Sequence, residues 1–163
     1  MRVDTTRFGV LEIDEGSIIR MPKGPIGFEE QTDYCLIQHR PDSNFRWLQS
    51  VGEPGLAFVV VDPSEHLADC EIEVPDAEAA RLRLKDPGDA MVLVIVTIGD
   101  HGREISANLA APIVINSREL VGMQVILQDS PYPIEHPLVE QPKKAIARKA
   151  ASDREETVIL EAA

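Results

Sequence analysis

The stretch FRWLQSVGEPGLAFVVVDP, residues 45–63, contains the only tryptophan of the chain and a dense run of apolar residues. Its two apolar halves flank GEPG, which has the glycine and proline content of a tight turn. We therefore expect two antiparallel strands, RWLQSV and LAFVVVD, joined by a four-residue loop. The pattern indicates that most of these side chains serve packing in a rigid scaffold.

Strand-like patterns continue along most of the remaining chain. The segments that show them are VDTTRFG, VLEID, IIRMP, YCLIQH, CEIEVP, AMVLVIVTIG, EISANLAAPIVIN and VGMQVILQD. The unbroken run AMVLVIVTIG predicts a central strand that is buried on both faces. Bends are expected at Ala111–Pro112 and at Gly122. PDAEAARLRL, residues 75–84, is the one segment inside the domain that predicts a helix.

These elements predict a mainly β fold. About nine or ten short strands with one short helix suit a small single domain, and closing an antiparallel sheet removes its exposed edges. We therefore expect an antiparallel β-barrel-like domain over residues 1–140. Residues 141–163 are rich in alanine and charge and lack strand alternation, so they predict a charged tail, either flexible or helical. Because isolated helices are marginal in water, a chain ending at Gln141 should melt at an unchanged temperature.

The composition indicates a folded, acidic protein. The 163 residues are 44% hydrophobic and carry 16 basic against 28 acidic side chains, a formal charge of −12. A field of this sign repels nucleic acid and favours a basic partner, although an acidic surface also serves solubility. The N-terminus lacks the apolar core of a signal peptide, and no run approaches the roughly 20 apolar residues of a membrane span. With two cysteines only, we expect a cytoplasmic protein without a disulfide framework.

The cysteines and histidines of the chain are first considered as ligands of a metal ion. Cys35 and His39 are four residues apart, as are His66 and Cys70. Two positions four apart on a strand are separated by roughly 13 Å, which is too far to share an ion. Two buried thiols and ordinary surface histidines are therefore the preferred interpretation.

Two polar loops are interpreted as turns. The prolines of PKGPIG, residues 22–27, remove the backbone N–H groups that a phosphate cradle needs, so this is a shaped loop without a phosphate site. The glycines of GDHGRE, residues 99–104, predict a hairpin turn. No nucleophile with a nearby base is apparent, and we expect a protein that is not an enzyme.

The order of several sequence blocks resembles the FliW family of flagellar assembly factors. The blocks are GVLEIDEGSIIRMPKGPIGFEE, WLQSVGEPGLAFVVVDP, CEIEVPD, VLVIVTI, NLAAPIVIN, GMQVIL and YPIEHPL. They follow one another over residues 3–138, and the tail from Gln141 extends past the family's common end. The resemblance implies a compact β-barrel-like domain with no catalytic residue, metal or cofactor.

The resemblance also implies a partner switch in bacterial flagellum biogenesis. Proteins similar to this one bind flagellin in the cytoplasm as a chaperone before its export, and the free factor binds the RNA-binding regulator CsrA. Antagonism of CsrA relieves the repression of flagellin translation, with no direct contact to nucleic acid or membrane. The acidic composition agrees with this interpretation because an RNA-binding regulator carries a basic surface.

Two sets of side chains are candidates for these contacts. The acidic, alternating segment of the family corresponds to CEIEVPD, which makes Glu71, Glu73 and Asp76 the expected regulator contacts, although a solvated face without a partner fits equally well. Apolar residues near the last strands would receive the amphipathic ends of flagellin, although for each of them a place in the core is the stronger expectation. These apolar candidates are Met123, Ile126 and Leu138.

An alternative function belongs to another class. Without the family resemblance, the chain also fits a β-barrel that binds a small molecule or a metal. Its candidate ligands would be Cys35, His39, His66 and Cys70.

Overall fold

Eleven β-strands and one α-helix form the regular structure of the residues that the computed structural model describes, which are 1–67, 71–99, 105–128 and 130–138. The strands are β1 Arg2–Thr5, β2 Gly9–Glu12, β3 Ile19–Arg20, β4 Asp33–Ile37, β5 Arg46–Ser50, β6 Ala57–Val61, β7 Ala90–Ile98, β8 Ile105–Ala107, β9 Ile113–Asn116, β10 Val121–Gln124 and β11 His136–Pro137. The helix α1 spans Asp76–Arg81. The prediction of a mainly β fold with one short helix is confirmed.

Seven of these strands close into a ring. Their order is β7, β6, β5, β4, β3, β10 and β9, and β9 pairs in turn with β7. The ring closes because β7 is long: its residues from Ala90 to Leu93 pair with β9, while Val94 and Ile95 pair with β6. All pairs in the ring are antiparallel except that of β10 with β3, which is parallel. The sheet is therefore barrel-like, as predicted, although one of its pairs is not antiparallel.

The interior of the ring is filled by apolar side chains. They are Ile19, Met21, Tyr34, Leu36, Leu48, Val60, Leu93, Ile113 and Ile115. Because successive side chains of a strand face opposite sides, Cys35 and Ile37 of β4 point out of the ring. There they pack with the β1–β2 hairpin, and Trp47 packs against the same cluster. Both faces of β4 are thus buried.

The hairpin predicted from residues 45–63 is present, but its loop is longer than predicted. Residues 51–56 connect β5 to β6, so the loop has six residues instead of four. The buried side chain of Gln49 lies against this loop. Its Nε2 donates towards the carbonyl oxygens of Ser50, Pro54 and Leu56 at 3.0, 3.2 and 3.2 Å. Gathering the loop carbonyls around one buried donor stabilises this shape.

Strand β7 is central, and its middle is buried on both faces as predicted, whereas Thr97 near its end is exposed. Leu93 packs inside the ring, whereas Val94 and Val96 join a second core cluster together with Ile105 and Leu138. Strands β8 and β11 extend the sheet from the C-terminal half of β7. Since β7 contributes to both clusters, it joins the ring to this extension.

Two further local predictions are wrong. Residues 71–75 of CEIEVP form no strand, because their alternation belongs to an extended segment that packs on the surface. The bend expected at Gly122 is absent, and this residue lies inside β10. A Cβ on Gly122 would approach Cγ1 of Ile115 to 3.0 Å, so the glycine permits close packing of β10 on β9. The bend expected at Ala111 is present.

Some predictions concern residues outside the described ranges. These residues are 100–104 of the GDHGRE turn, Cys70, and the tail from Gln141 with its predicted boundary at residue 140. Within the described ranges, no helix has both the length and the apolar character that crossing a bilayer requires.

Candidate protein-binding surfaces

A groove of about 680 Å³ opens between the segment that precedes α1 and the chain that follows β10. Three of its lining residues are glutamates and five are apolar or aromatic, and we call it the acidic groove. The lining residues are Glu71, Glu73, Pro75, Glu78, Ile126, Leu127, Gln128, Ser130, Pro131 and Tyr132. The groove thus combines negative charge with apolar surface.

One wall of the acidic groove is the extended segment 71–75. Ile72 packs against the second core cluster, and Val74 packs against a cluster beside α1. Because alternate side chains of an extended chain face opposite sides, Glu71 and Glu73 point to solvent, as predicted. This wall therefore presents carboxylates on a backbone that its partly buried apolar side chains anchor.

The other wall continues from β10. The backbone N–H of Val125 donates to the carbonyl of Pro112 at 2.8 Å, and that of Leu127 donates to the carbonyl of Ala110 at 2.9 Å. Ile126 lies between these two bonded residues and faces outward, with 63% of its surface exposed. An exposed isoleucine in a groove offers an apolar contact to a partner.

The carboxylates of the acidic groove are not neutralised by the part of the protein that the structure describes. Within that part, no ion pair or side-chain hydrogen bond engages the carboxylate of Glu71, Glu73 or Glu78. Asp76, in the first turn of α1, is exposed as well. Uncompensated charges of one sign attract a basic partner and speed its association at low salt.

A second exposed apolar feature lies on the loop between β3 and β4. Ile26 and Phe28 are 53% and 44% exposed, and we call this pair the apolar ledge. The N–H of Ile26 donates to Oε1 of Gln124 at 2.8 Å, and the ring of Phe28 meets that of Phe58 edge-on, with centroids 5.5 Å apart. Gly24 has φ +53°, and a Cβ there would lie 2.5 Å from the Phe28 carbonyl oxygen. The predicted shaped loop is present, and it holds the ledge in place.

Three of the four candidate ligands of the alternative metal site, Cys35, His39 and His66, lie in the described part of the chain. Among the described residues, no group of three or more His, Cys, Asp and Glu side chains is placed to hold an ion. Burial raises the pKa of the Cys35 thiol to about 11, which keeps it protonated at neutral pH and a poor ligand. The prediction of surface histidines is wrong for His39, which is 1% exposed because its ring packs against Phe8 of the β1–β2 hairpin. His66 is partly buried, and this burial lowers its pKa.

The comparisons with known proteins identify the family. The model of the FliW protein family matches residues 2–138. The flagellar assembly factor FliW of Syntrophus aciditrophicus is 39% identical over 140 residues, which are 86% of this chain and 89% of that relative. For the factor of Geobacter sulfurreducens the identity is 35% over 147 residues, 90% and 92% of the two chains. The crystal structure of a flagellar assembly factor FliW is similar with a TM-score of 0.79 at 35% identity, covering 86% of this chain and 99% of that one. The chain belongs to the FliW family.

This FliW-family protein is therefore a flagellar assembly factor, and the resemblance seen in its sequence blocks is confirmed. The family match ends at Leu138, which is also the last residue that the structure describes. Residues 139–163 are additional to the matched FliW region.

The FliW domain brings together residues that were predicted for different partners. Glu71 and Glu73, expected to contact a regulator, line the same acidic groove as Ile126, which was expected to contact flagellin. Asp76 is exposed on α1 but does not line the groove. A single surface of the FliW domain thus offers both charged and apolar contacts.

The two other apolar candidates lie elsewhere. Met123 is partly buried and lines a separate pocket of about 220 Å³, together with Lys23 and Arg81. Leu138 is 2% exposed in the second core cluster, which is the core role that was the stronger expectation. Its side chain is therefore not available on the surface.

Sequence reasoning did not find Tyr132, Glu78 or the apolar ledge. Tyr132 lies in the family block YPIEHPL, where no periodicity indicates which side chains face a groove. Glu78 lies two residues after Asp76 on the predicted helix, and this closeness to a proposed regulator contact could have indicated it. The clue to the ledge was the presence of Ile26 and Phe28 within a loop rich in proline and glycine, because large apolar side chains in such a loop are often exposed.

Proposed function

We propose that this FliW-family protein is a non-catalytic, cytoplasmic partner switch. In one state it holds flagellin before export, and in the other it binds a CsrA-like regulator and relieves its repression of flagellin synthesis. The observation that carries the proposal is the acidic groove, because Glu71, Glu73 and Ile126 lie in one lining. Both partners are inferred from the resemblance to the family.

The acidic side of the groove suits the regulator. A protein that binds RNA neutralises phosphates with lysine and arginine, so its surface is basic. Glu71, Glu73 and Glu78 have no ion partner in the described part of the chain. Exposed ion pairs stabilise a complex by only about 0–1 kcal/mol each, so the main effect is on the association rate.

The apolar side of the groove suits flagellin. An amphipathic helix binds by laying its apolar face into a groove of apolar side chains. Ile126, Leu127 and Tyr132 supply such side chains, and Ile126 is the most exposed apolar residue among them. Because these residues share the groove with the glutamates, occupation by flagellin would exclude the regulator by overlap.

A competition measurement tests this proposal. The regulator is immobilised, the full chain is bound to it, and purified flagellin is added. We expect flagellin to displace the chain from the regulator in proportion to its concentration. A ternary complex of flagellin, this chain and the regulator would contradict the switch by overlap, and capture of neither partner would contradict the proposed function as a whole.

A further inference from the structure

The charge of residues 143–149, KKAIARK, is opposite to that of the acidic groove. The segment contains four basic residues, no acidic residue and one isoleucine. The groove has three glutamates beside Ile126, and the described residues provide no ion partner for them. We propose that residues 143–149 occupy the acidic groove of their own molecule and compete there with a basic partner.

The last described residue, Leu138, shares a core cluster with residues at this groove. Leu138 is buried in the second core cluster, and Ile72 and Tyr132 pack against that same cluster. Ile72 is the residue between two groove glutamates, and Tyr132 lines the groove. Lys143 follows Leu138 by five positions, which span up to ~17 Å when the chain is extended. The basic segment is therefore tethered within reach of the groove.

The rest of the tail does not share this complementarity. From Asp153 onward it carries Glu155, Glu156 and Glu161 against one basic residue, Arg154. These carboxylates would be repelled by the groove, so the contact is confined to the segment before them. A short tether gives an effective concentration on the order of millimolar, so weak ion pairs are sufficient to populate the contact.

Docking of residues 143–149 in the acidic groove would regulate partner binding through a segment that lies outside the matched FliW region. The family match ends at residue 138, before the basic segment begins. A bound tail would mask Glu71 and Glu73 until a partner of higher affinity displaces it. This consequence rests on the proposed function, whereas the docking itself is independent of any partner.

Methyl NMR of the full chain, without any partner, tests the docking. The wild type is compared with a variant carrying Lys143→Glu, Lys144→Glu, Arg148→Glu and Lys149→Glu, and the matched control is Arg154→Glu. We expect the Ile126 methyl resonance of the wild type to differ from that of the fourfold variant and to equal that of the control. Added salt should move the wild-type resonance towards the variant position, since screening weakens exposed ion pairs. The buried Ile37 resonance should stay constant and so report an intact fold.

A reciprocal change identifies the contacting charges. When Glu71→Lys, Glu73→Lys and Glu78→Lys are combined with the fourfold tail variant, the charges are opposite again, and the salt-dependent shift of Ile126 should return. Identical Ile126 resonances in the wild type and the fourfold variant would overturn the proposal. A shift that depends on protein concentration would also overturn it, because the tail would then occupy the groove of another molecule. Neither outcome bears on flagellin or the regulator, which are absent from the sample.

Discussion

The backbone N–H of Glu71 donates a hydrogen bond of 3.3 Å to the hydroxyl of Tyr132, 61 residues further along the chain. This bond joins the two sides of the acidic groove. It also satisfies a donor that a β-ladder would have used, had residues 71–75 formed the predicted strand. The backbone at Glu71 is therefore held by a contact between two distant segments.

Replacing Tyr132 by phenylalanine should make the backbone of residues 71–75 more mobile, because the hydrogen bond to Glu71 is lost. Without the hydroxyl, the amide of Glu71 should exchange its proton several-fold faster. The free energy of unfolding should fall by at most about 1.5 kcal/mol, because the bond is exposed. Amide exchange followed by NMR measures the first effect and denaturant unfolding the second. An unchanged exchange rate at Glu71 would show that the bond does not hold the segment.

Tyr34→Phe is the matched control for that substitution. The Tyr34 hydroxyl is buried and has no hydrogen-bond partner among the described residues, and burial raises its pKa to about 12. Removing a buried hydroxyl that is unsatisfied should leave the free energy of unfolding equal or raise it by about 1 kcal/mol. Amide exchange at Glu71 should not change.

Gly24→Ala should destabilise the loop that carries the apolar ledge. The added Cβ would lie 2.5 Å from the Phe28 carbonyl oxygen and 2.8 Å from that of Gln31, at a φ of +53°. Gly16 provides the control, because a Cβ there meets only the side chain of Asp14 at 3.5 Å and φ is not positive. We expect a loss of more than about 1 kcal/mol in unfolding free energy for Gly24→Ala and a small change for Gly16→Ala. Equal effects of the two substitutions would contradict the described loop.

Much of the fold could be predicted because apolar runs and turn residues that are close together in the sequence determine its strands. The run at β7 and the paired runs of β5 and β6 were recognisable from apolar residues and a turn between them. The alternation of Glu71, Ile72, Glu73 and Val74 correctly separated exposed from packed side chains. It did not reveal that this segment lacks a partner strand, because an extended chain packed on a surface has the same period as a strand.

The closure of the ring and the groove could not be predicted in the same way. β9 pairs with β7, and β10 pairs in parallel with β3, and each contact joins segments that are distant in the sequence. Glu71 and Ile126 likewise come together only in the folded chain. The buried position of His39 depends on Phe8 of the N-terminal hairpin, which no pattern around His39 indicates.

Two substitutions separate apolar side chains of the core from those of the surface. Leu138→Ala removes a side chain that is 2% exposed and should cost about 2–5 kcal/mol of unfolding free energy. Ile126→Ala removes one that is 63% exposed and should cost less than about 0.5 kcal/mol, yet weaken flagellin binding. Denaturant unfolding and calorimetry with flagellin measure the two effects. If Ile126→Ala lowers stability as much as Leu138→Ala, then Ile126 belongs to the core.

Stability should fall in alkaline solution through Cys35. Burial raises the pKa of this thiol from 9.0 to about 11, so the folded state keeps its proton where the unfolded state loses it. The unfolded chain binds fewer protons over this interval, and the free energy of unfolding therefore decreases from about pH 9 to pH 11. A pH series of denaturant unfolding should show a smaller decrease for Cys35→Ala than for the wild type. Equal slopes would mean that this thiol ionises as readily in the folded as in the unfolded chain.

The central claim is that the acidic groove receives the regulator. The double substitution Glu71→Lys with Glu73→Lys reverses two exposed charges of its lining. The matched control, Glu12→Lys with Glu15→Lys, reverses two exposed glutamates that do not line the groove. Both variants are compared with the wild type in complexes with a CsrA-like protein and with flagellin.

Stopped-flow association with a CsrA-like protein, measured over a series of salt concentrations, is the most direct test. For the groove variant we expect slower association and a flatter salt dependence, because steering by opposite charges is lost. The control variant should behave more like the wild type, and flagellin binding in calorimetry should survive the groove change since it rests on apolar contacts. Equal damage to both complexes by the groove variant, or damage to neither, would contradict the account and remove Glu71 and Glu73 from the regulator interface.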